Sequence, residues 1–284
     1  MKHSDGFFKG VRDQLIYYQY WLPDEEPKAV LLIAHGLGEH SERYGNVVDH
    51  LVPLGYAVYA LDHVGHGRSE GTRMYVERFA DYTTTLKIYE EMVRDWQPGK
   101  PVFLLGHSMG GAIAAAYALE HQDGLAGLVL SAAALDTTDA APPVVVALAK
   151  VLSKVAPKMG TIALDPTQIS RDPEVVQAYV NDPLVYGGKM TARLAAELLA
   201  TVQNTVASAN TITLPTLIVH GSADKMVSVQ GSQQFYEIIG STDKTIHIYD
   251  GFFHEVCNEP ECSMVLNDIS QWLDAHIGTP QKEE

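Results

Sequence analysis

The stretch LLGHSMGGAIAAAYA, residues 104 to 118, places one serine between glycines where an apolar run ends. The run before Gly106 has the composition of a buried strand, and the run after Gly110 consists of small helix formers. A serine on a tight strand-to-helix turn has an accessible hydroxyl, beside helix N–H groups that could stabilise an oxyanion. The pattern G-x-S-x-G alone is weak, but this context makes Ser108 a candidate nucleophile.

A serine nucleophile needs a general base and an acid that orients the base. After a strand–serine–helix turn of this kind, the acid and then the histidine follow later in the chain, each beyond a strand. Asp224 follows the apolar run PTLIVHG, and His254 follows the run KTIHIYDG. We therefore predict that His254 is the general base and that Asp224 orients it and stabilises its imidazolium.

Other residues compete for these two roles. Asp250 closes a predicted strand just before a glycine, which favours a turn. His220 ends one predicted strand and His247 lies inside another, which favours structural roles for both. Asp123 and Asp136 come early in the chain, a less common origin for the acid.

A tetrahedral intermediate also needs two backbone N–H donors. One is predicted at Met109, the residue after the serine. The second is predicted at Leu37, in the loop IAHGLGEH that follows an early apolar run. The same loop could simply be a tight turn leaving a strand, and a backbone donor is compatible with both interpretations.

The residues that must position this chemistry follow an alternating pattern. The aromatic-rich stretch DQLIYYQYWLP indicates an opening strand pair. Apolar runs rich in β-branched and aromatic residues follow, the first three each before a helical pattern, which predicts a parallel sheet built from βαβ units. These runs cover residues 29–35, 56–62, 101–107, 125–135, 215–221 and 244–251, and a last helix is predicted over roughly 260–276.

The alternation of strand and helix patterns stops between about residues 136 and 208. This segment contains several prolines and has no convincing strand pattern. The sequence therefore predicts an α/β fold, with a mostly parallel central sheet flanked by helices and a helical cap insertion. The core would comprise residues 1–135 and 209–284, and the cap would comprise residues 136–208.

Net charge, apolar runs and cysteine content argue against several classes of partner and location. The 284 residues carry a net charge of -15, which disfavours nucleic acid as a partner. The N-terminus lacks an apolar signal region, and no run reaches the roughly 18 apolar residues of a membrane span. With only Cys257 and Cys262, the chain is expected to be cytoplasmic, and a local disulfide between them is left open.

Cofactor chemistry has little support in the sequence. HEVCN at 254–258 fails the H-E-x-x-H zinc pattern, and His63 and His66 lack a matching cysteine cluster. No phosphate-binding G-x-x-x-x-G-K-[ST] occurs, and GHGRSEG does not have the dinucleotide spacing. We expect neither a metal nor a cofactor.

With these residues assembled, the chain resembles the monoacylglycerol lipase family of serine α/β-hydrolases. The matching stretches are HGLGEHSERY, LDHVGHGRSEG, LLGHSMGGAI, NDPLV, HGSAD and KTIHIYDGFFHEV, in the expected order along nearly the whole chain. The resemblance implies a Ser108–Asp224–His254 triad, oxyanion donors at Leu37 and Met109, and a helical cap over an acyl pocket.

The same resemblance implies that Glu39, Arg43 and Tyr179 lie near the glycerol end of the pocket. Glu39 and Arg43 are four residues apart at a helix start and could equally form a structural ion pair. Cys257 stands near the expected pocket mouth, and no substrate contact is carried over to it.

The function expected from all of this is hydrolysis of monoacylglycerols to fatty acid and glycerol through an acyl-enzyme. A broader carboxylesterase or lysophospholipase would use the same residues, and a non-catalytic binder is disfavoured because every catalytic position is filled. The segment 142–160 carries Lys150, Lys154 and Lys158 among apolar residues. It predicts an amphipathic helix that contacts a lipid surface, or one that only roofs the acyl pocket.

Overall fold

A computed structural model describes residues 1–136 and 151–278. Its centre is an eight-stranded sheet in the order β1-β2-β4-β3-β5-β6-β9-β10. The strands from β3 to β10 in this sheet run parallel, and the opening hairpin is antiparallel. The sheet strands are β1 (Lys2–Lys9), β2 (Leu15–Leu22), β3 (Ala29–Ala34), β4 (Tyr56–Leu61), β5 (Val102–His107), β6 (Gly127–Ser131), β9 (Thr216–Gly221) and β10 (Lys244–Tyr249).

Helices cover both faces of this sheet, which confirms the predicted α/β fold. The helices are α1 (Gly45–Leu51), α2 (Ala80–Trp96), α3 (Met109–His121), α4 (Pro173–Asn181), α5 (Ala192–Ala207), α6 (Val229–Ile238) and α7 (Cys262–His276). Apolar residues of α2, α3, α5 and α6 share one core cluster, and those of α1 and α7 share the other. Because layers cover both faces, the central strands are buried throughout and appear in the sequence as continuous apolar runs.

Helix α3 lies unusually close to the sheet because its first turn carries glycines. A Cβ added at Gly110 would lie 2.0 Å from the carbonyl oxygen of Ala34, and one at Gly111 would lie 2.4 Å from Cβ of Ala133. Any side chain at either position would push the helix away from β3 or from the chain just after β6. The glycines around Ser108 therefore fix the distance between the helix N-terminus and the sheet.

The segment between β6 and β9 is not purely helical, so that expectation is wrong. The described residues form a second, two-stranded antiparallel sheet from β7 (Gly160–Ala163) and β8 (Lys189–Thr191), together with α4 and α5. Strands of four and three residues are too short to produce a readable alternation. Residues 137–150, which include Lys150 and the first part of the predicted amphipathic segment, up to residue 150, lie outside the described residues.

Two further expectations can be compared with the fold. Cys257 and Cys262 are both free thiols, so the disulfide left open by the sequence is not formed. In residues 1–136 and 151–278, no helix has the length and apolarity that crossing a bilayer requires.

Candidate active site

Ser108 lies on the sharp turn between β5 and α3, with φ 55° and ψ -120°. Non-glycine residues adopt a positive φ only at a cost of roughly 1–3 kcal/mol, so the surrounding structure must hold the turn. The Ser108 N–H donates to the Ser131 carbonyl at 3.0 Å, and the Ser108 carbonyl accepts from Ala134 N at 2.9 Å. These bonds anchor the turn to the end of β6, and the half-buried side chain remains accessible.

Asp224 and His254 form a buried hydrogen-bonded pair. His254 Nδ1 lies 2.7 Å from Asp224 Oδ2, and the two side chains are 4% and 0% exposed. Asp224 Oδ1 accepts the N–H groups of Met226 at 2.7 Å and Val227 at 3.0 Å. Burial by itself would raise the pKa of Asp224, but hydrogen bonds from His220 and His254 hold it well below its usual range. The carboxylate is therefore ionised and orients His254 with Nε2 free to accept a proton.

The serine turn lies beside this pair. The ring of His107, the residue before Ser108, is 4.7 Å from the ring of His254. Burial and the neighbouring His254 lower the pKa of His107 to about 4, so His107 is neutral near pH 7. Among the described residues, the Ser108 hydroxyl makes no hydrogen bond to His254, a contact that often tightens only when substrate binds.

The two predicted oxyanion donors belong to rigid turns. The Gly36 carbonyl accepts a hydrogen bond from His35 Nδ1 at 2.8 Å, and His35 Nε2 accepts the backbone N–H of His63 at 2.8 Å. The Gly36 carbonyl and the Leu37 N–H share one trans peptide group and point in opposite directions, so holding the carbonyl also orients the N–H. Met109 is the first residue of α3, where an N–H has no acceptor within the helix.

Glu39, Arg43 and Tyr179 lie together, as the resemblance implies. Arg43 binds Glu39 at 2.8 Å and Glu255 through two bonds of 2.5 and 2.7 Å, and its guanidinium lies 4.6 Å from the Tyr179 ring centre. Glu39 also accepts the hydroxyl of Tyr44 at 2.9 Å. Burial would raise the pKa of Glu39, but the Arg43 charge and further partners bring it to about 2. The predicted ion pair exists, and it forms part of a larger charged cluster.

A small cavity and a wide groove lie next to the charged cluster and the candidate catalytic residues. A small cavity of about 20 Å³, roughly the volume one water needs, is lined by residues that include Arg43, His107 and Glu255. A wide groove of about 650 Å³ runs between α4 and Phe253, the residue before His254. Within the described ranges, no cluster of three His, Cys, Asp or Glu side chains has the arrangement of a metal site.

Comparison with known proteins identifies the family to which this chain belongs. The family model for serine aminopeptidase, S33, matches residues 25–261. A monoacylglycerol lipase from Mycolicibacterium smegmatis is 39% identical over 274 residues, which cover 96% of this chain and 98% of that protein. The chain belongs to the monoacylglycerol lipase family of α/β-hydrolases. It is a serine-type hydrolase of the lipase and esterase kind.

Other relatives in this family agree along almost the whole chain. Human monoglyceride lipase is 38% identical over 270 residues, covering 94% of this chain and 89% of that protein. The crystal structure of a monoacylglycerol lipase from Paleococcus ferrophilus has a TM-score of 0.82 at 32% identity and covers 92% of this chain and 99% of that one. The resemblance stated from the sequence is thereby confirmed, whereas the roles of individual residues stay predictions.

Two of the residues that compete for the roles of acid and base, Asp250 and His247, lie in other environments. Asp250 accepts a hydrogen bond from the Ser222 hydroxyl at 3.1 Å in an exposed turn. His247 lies on the edge strand β10, where its Nδ1 is 3.8 Å from Asp268 Oδ2 and its side chain is 41% exposed. Neither contacts Ser108 among the described residues, whereas Asp224 and His254 contact each other.

Two buried partners of the site were not recognised in the sequence. Glu255, which binds Arg43, belongs in the sequence only to a pattern that fails as a zinc site, and the available signal is an acid directly after a predicted catalytic histidine. His220 was interpreted as structural because it ends a strand, yet its Nε2 lies 3.1 Å from Asp224 Oδ2. A histidine four residues before a predicted catalytic acid was the available signal.

Proposed function

We propose that this chain hydrolyses monoacylglycerols to free fatty acid and glycerol through an acyl-enzyme on Ser108. The observation that carries the proposal is the buried 2.7 Å bond between His254 Nδ1 and Asp224 Oδ2 beside the strained Ser108 turn. The family supplies the substrate class, because relatives named as monoacylglycerol lipases match nearly the whole chain.

The proposed reaction has two half-reactions. The Ser108 hydroxyl attacks the ester carbonyl and gives its proton to His254 Nε2, and the new imidazolium is stabilised by Asp224. The oxyanion accepts the N–H groups of Leu37 and Met109. His254 then protonates the leaving glycerol oxygen. In the second half-reaction, His254 takes a proton from water as the water oxygen attacks the acyl carbon. The imidazolium then gives that proton to the Ser108 oxygen as its bond to the acyl carbon breaks, which regenerates Ser108 and releases the fatty acid.

We assign Glu39, Arg43 and Tyr179 to the glycerol end of the site. Glu39 and Arg43 belong to a buried charged cluster, adjoined by Tyr179, that offers hydrogen-bonding groups to hydroxyls. Glu39 also accepts the Gly36 N–H at 2.6 Å, directly before the proposed oxyanion donor. A polar head held there would lie beside the ester carbonyl. The acyl chain would extend toward the segment 136–208.

The proposal that segment 136–208 caps the site is supported by its contacts with the oxyanion loop. His40 Nε2 lies 2.9 Å from Asp182 Oδ2, and the Tyr186 N–H donates to the Gly38 carbonyl at 2.8 Å. Tyr179 from α4 lies over Arg43. These contacts place the described part of the segment beside the residues assigned to substrate.

Contact with a lipid surface belongs to the same proposal. Val151, Val155 and Met159 are 57%, 79% and 46% exposed on the segment predicted to be amphipathic. The exposed Lys154 and Lys158 lie among them and have no acidic partner within the described residues. Exposed apolar side chains interspersed with lysines suit the headgroup region of an anionic membrane.

The substrate class is tested by measuring glycerol release from 1-oleoylglycerol, dioleoylglycerol and trioleoylglycerol, and fatty acid release from oleoyl-lysophosphatidylcholine. We expect turnover of the monoacylglycerol and its loss in Ser108→Ala. Comparable turnover of the lysophospholipid would assign the broader esterase class to the same residues. Activity that survives in Ser108→Ala would refute the acyl-enzyme on this serine.

Lipid contact is tested by sedimentation with vesicles of phosphatidylcholine and phosphatidylglycerol. The double variant Lys154→Glu/Lys158→Glu should bind at least about 30-fold more weakly, since each basic residue near an anionic surface contributes about 1 kcal/mol. Lys2→Glu/Lys9→Glu on the edge strand β1 is the charge-matched control and should bind as the wild type does. Equal binding by all three proteins would contradict the lipid-contact proposal.

A further inference from the structure

His220 is a fully buried histidine at the carboxyl end of β9, four residues before Asp224. Its Nε2 lies 3.1 Å from Asp224 Oδ2 and 3.1 Å from the Val227 carbonyl oxygen. Its Nδ1 lies 2.7 Å from the Ser232 hydroxyl on α6. Every polar atom of the imidazole therefore has a partner, and one of the partners is the carboxylate that receives His254.

These contacts define which nitrogen of His220 carries the hydrogen. Both groups at Nε2 can only accept, so Nε2 must be the donor. The Nδ1 lone pair then accepts the Ser232 hydroxyl, which donates. The neutral imidazole satisfies all three neighbours without an additional proton, and its donor faces the carboxylate.

Asp224 consequently has four donors in fixed positions. Oδ2 receives His254 Nδ1–H at 2.7 Å and His220 Nε2–H at 3.1 Å, and Oδ1 receives the two backbone N–H groups of Met226 and Val227. The backbone donors alone would let the carboxylate pivot about Oδ1. A second, rigid donor on Oδ2 opposes that motion, because moving Oδ2 away from His254 would also break the bond to His220.

We propose that His220 is a positioning residue for the ester hydrolysis proposed above, holding Asp224 Oδ2 where it receives the Nδ1–H of His254. This inference rests on the proposed function for the assignment of Asp224 and His254 as catalytic residues. Its effect on the reaction is indirect, through the carboxylate, since His220 lies behind Asp224 and reaches no substrate.

The experiment compares three variants. His220→Gln keeps an N–H donor at similar reach, and His220→Leu fills much of the volume without one. His276→Leu is the matched control, because His276 is a mostly buried histidine whose Nε2 lies 3.1 Å from Asp243 Oδ2, outside the site. For each protein we would measure kcat and KM on 1-oleoylglycerol, the rate of labelling by a fluorophosphonate, and the melting temperature.

We expect His220→Leu to lower kcat and the labelling rate about 10- to 100-fold with KM within twofold, because a small displacement of a catalytic group has effects of this size. His220→Gln should retain kcat within about threefold. His276→Leu should lower the melting temperature without lowering kcat. Equal loss of kcat in the Gln and Leu variants, or unchanged labelling in His220→Leu, would overturn the proposal.

The pH profile of kcat/KM gives a readout that loss of packing would not move. With Asp224 Oδ2 no longer held against the Nδ1–H of His254, the carboxylate stabilises the imidazolium less, so the acidic limb of the His220→Leu profile should move to lower pH. Besides Asp224, the ring of His107 lies 4.7 Å from that of His254, and Glu39, Glu255 and Arg43 act on His107 in turn; the His220 variants leave all four intact. An unmoved limb would count against the positioning role.

A substrate-free measurement separates this inference from the proposed function. In wild-type protein labelled with ¹⁵N-histidine, His220 should show the Nε2–H tautomer, and the His254 Nδ1–H proton should resonate far downfield. That proton signal should move upfield or broaden in His220→Leu and persist in His220→Gln. If wild type hydrolyses no ester, the proposed function fails, and this spectrum still decides whether His220 orders the pair. An unchanged His254 signal in His220→Leu would refute it.

Discussion

Asp224 and Glu39 are both buried carboxylates of the candidate site, yet they are held in opposite ways. Asp224 is surrounded by four N–H donors that carry no net charge before the reaction, whereas Glu39 has the permanent charge of Arg43 at 2.8 Å. A positive partner for Asp224 arises only when His254 is protonated. In the proposed reaction, Asp224 therefore gains stabilisation as His254 is protonated whereas Glu39 does not, and a differential gain of this kind accelerates a chemical step.

Asp224→Asn should have the largest effect, a fall in kcat of about 10⁴-fold, because an amide can donate to His254 Nδ1 and so stabilise the wrong tautomer. Steady-state kinetics on 1-oleoylglycerol would measure it. Asp250→Asn, the same chemical change at the rejected candidate, should keep kcat. A loss of less than tenfold in Asp224→Asn would mean that Asp224 is not the catalytic acid.

Arg43→Met tests whether the ion pairs of Arg43 with Glu39 and Glu255 stabilise the fold. It leaves Glu39 and Glu255 buried without their common counter-charge, which should cost about 3–5 kcal/mol of unfolding free energy in urea. Arg68→Met is the control, since the Arg68–Glu42 pair is about 40% exposed and should cost at most about 1 kcal/mol. Similar losses in both variants would remove the distinction between the two pairs.

The free energy of unfolding should depend on pH through the ionisation of Glu39. Its pKa falls from an ordinary value of 4.5 to about 2 on folding, so its stabilisation is fully present above pH 4.5 and is lost as the pH falls toward 2. The loss amounts to at most roughly 3 kcal/mol. Urea unfolding between pH 6 and 2.5 would measure it, and Glu39→Gln should have a flatter curve. Parallel curves for the two proteins would contradict the assignment.

Tyr179→Leu should have the smallest effect. It removes the ring beneath Arg43 and part of the proposed glycerol end, so KM for 1-oleoylglycerol should rise a few fold, about 0.5–1 kcal/mol, with kcat unchanged. Tyr179→Phe, which keeps the ring, separates the aromatic contact from the hydroxyl. If kcat fell while KM stayed constant, the residue would act on the chemical step and not on substrate binding.

Local signals explain how much of the site could be predicted from the sequence. Ser108 and Met109 stand on a strand-to-helix turn whose glycines are visible in the chain, and Asp224 and His254 each follow a strong apolar run. The fold followed from the same runs, because buried parallel strands have a simple sequence pattern. In each of these cases one segment of the sequence contains both the residue and the element that positions it.

What the sequence did not predict depends on distant segments meeting. Arg43 and Glu255 are 212 residues apart, and no pattern near either residue identifies the other. His220 was interpreted by its place at a strand end, because its contact with Asp224 arises only when the following turn folds back. The strands β7 and β8 are stabilised by pairing with each other, and neither is long enough to be recognised alone.

The proposed nucleophile and the proposed base follow strands whose backbone amides should be protected from hydrogen exchange to different degrees. Strand β5, which ends in the Ser108 turn, has neighbours on both sides, whereas β10, which precedes His254, pairs only with β9. Amide hydrogen exchange should therefore be governed by global unfolding in β5 and by fraying at lower free energy in β10. The serine turn can persist in molecules whose edge strand has opened, so activity on heating should disappear before the fold does.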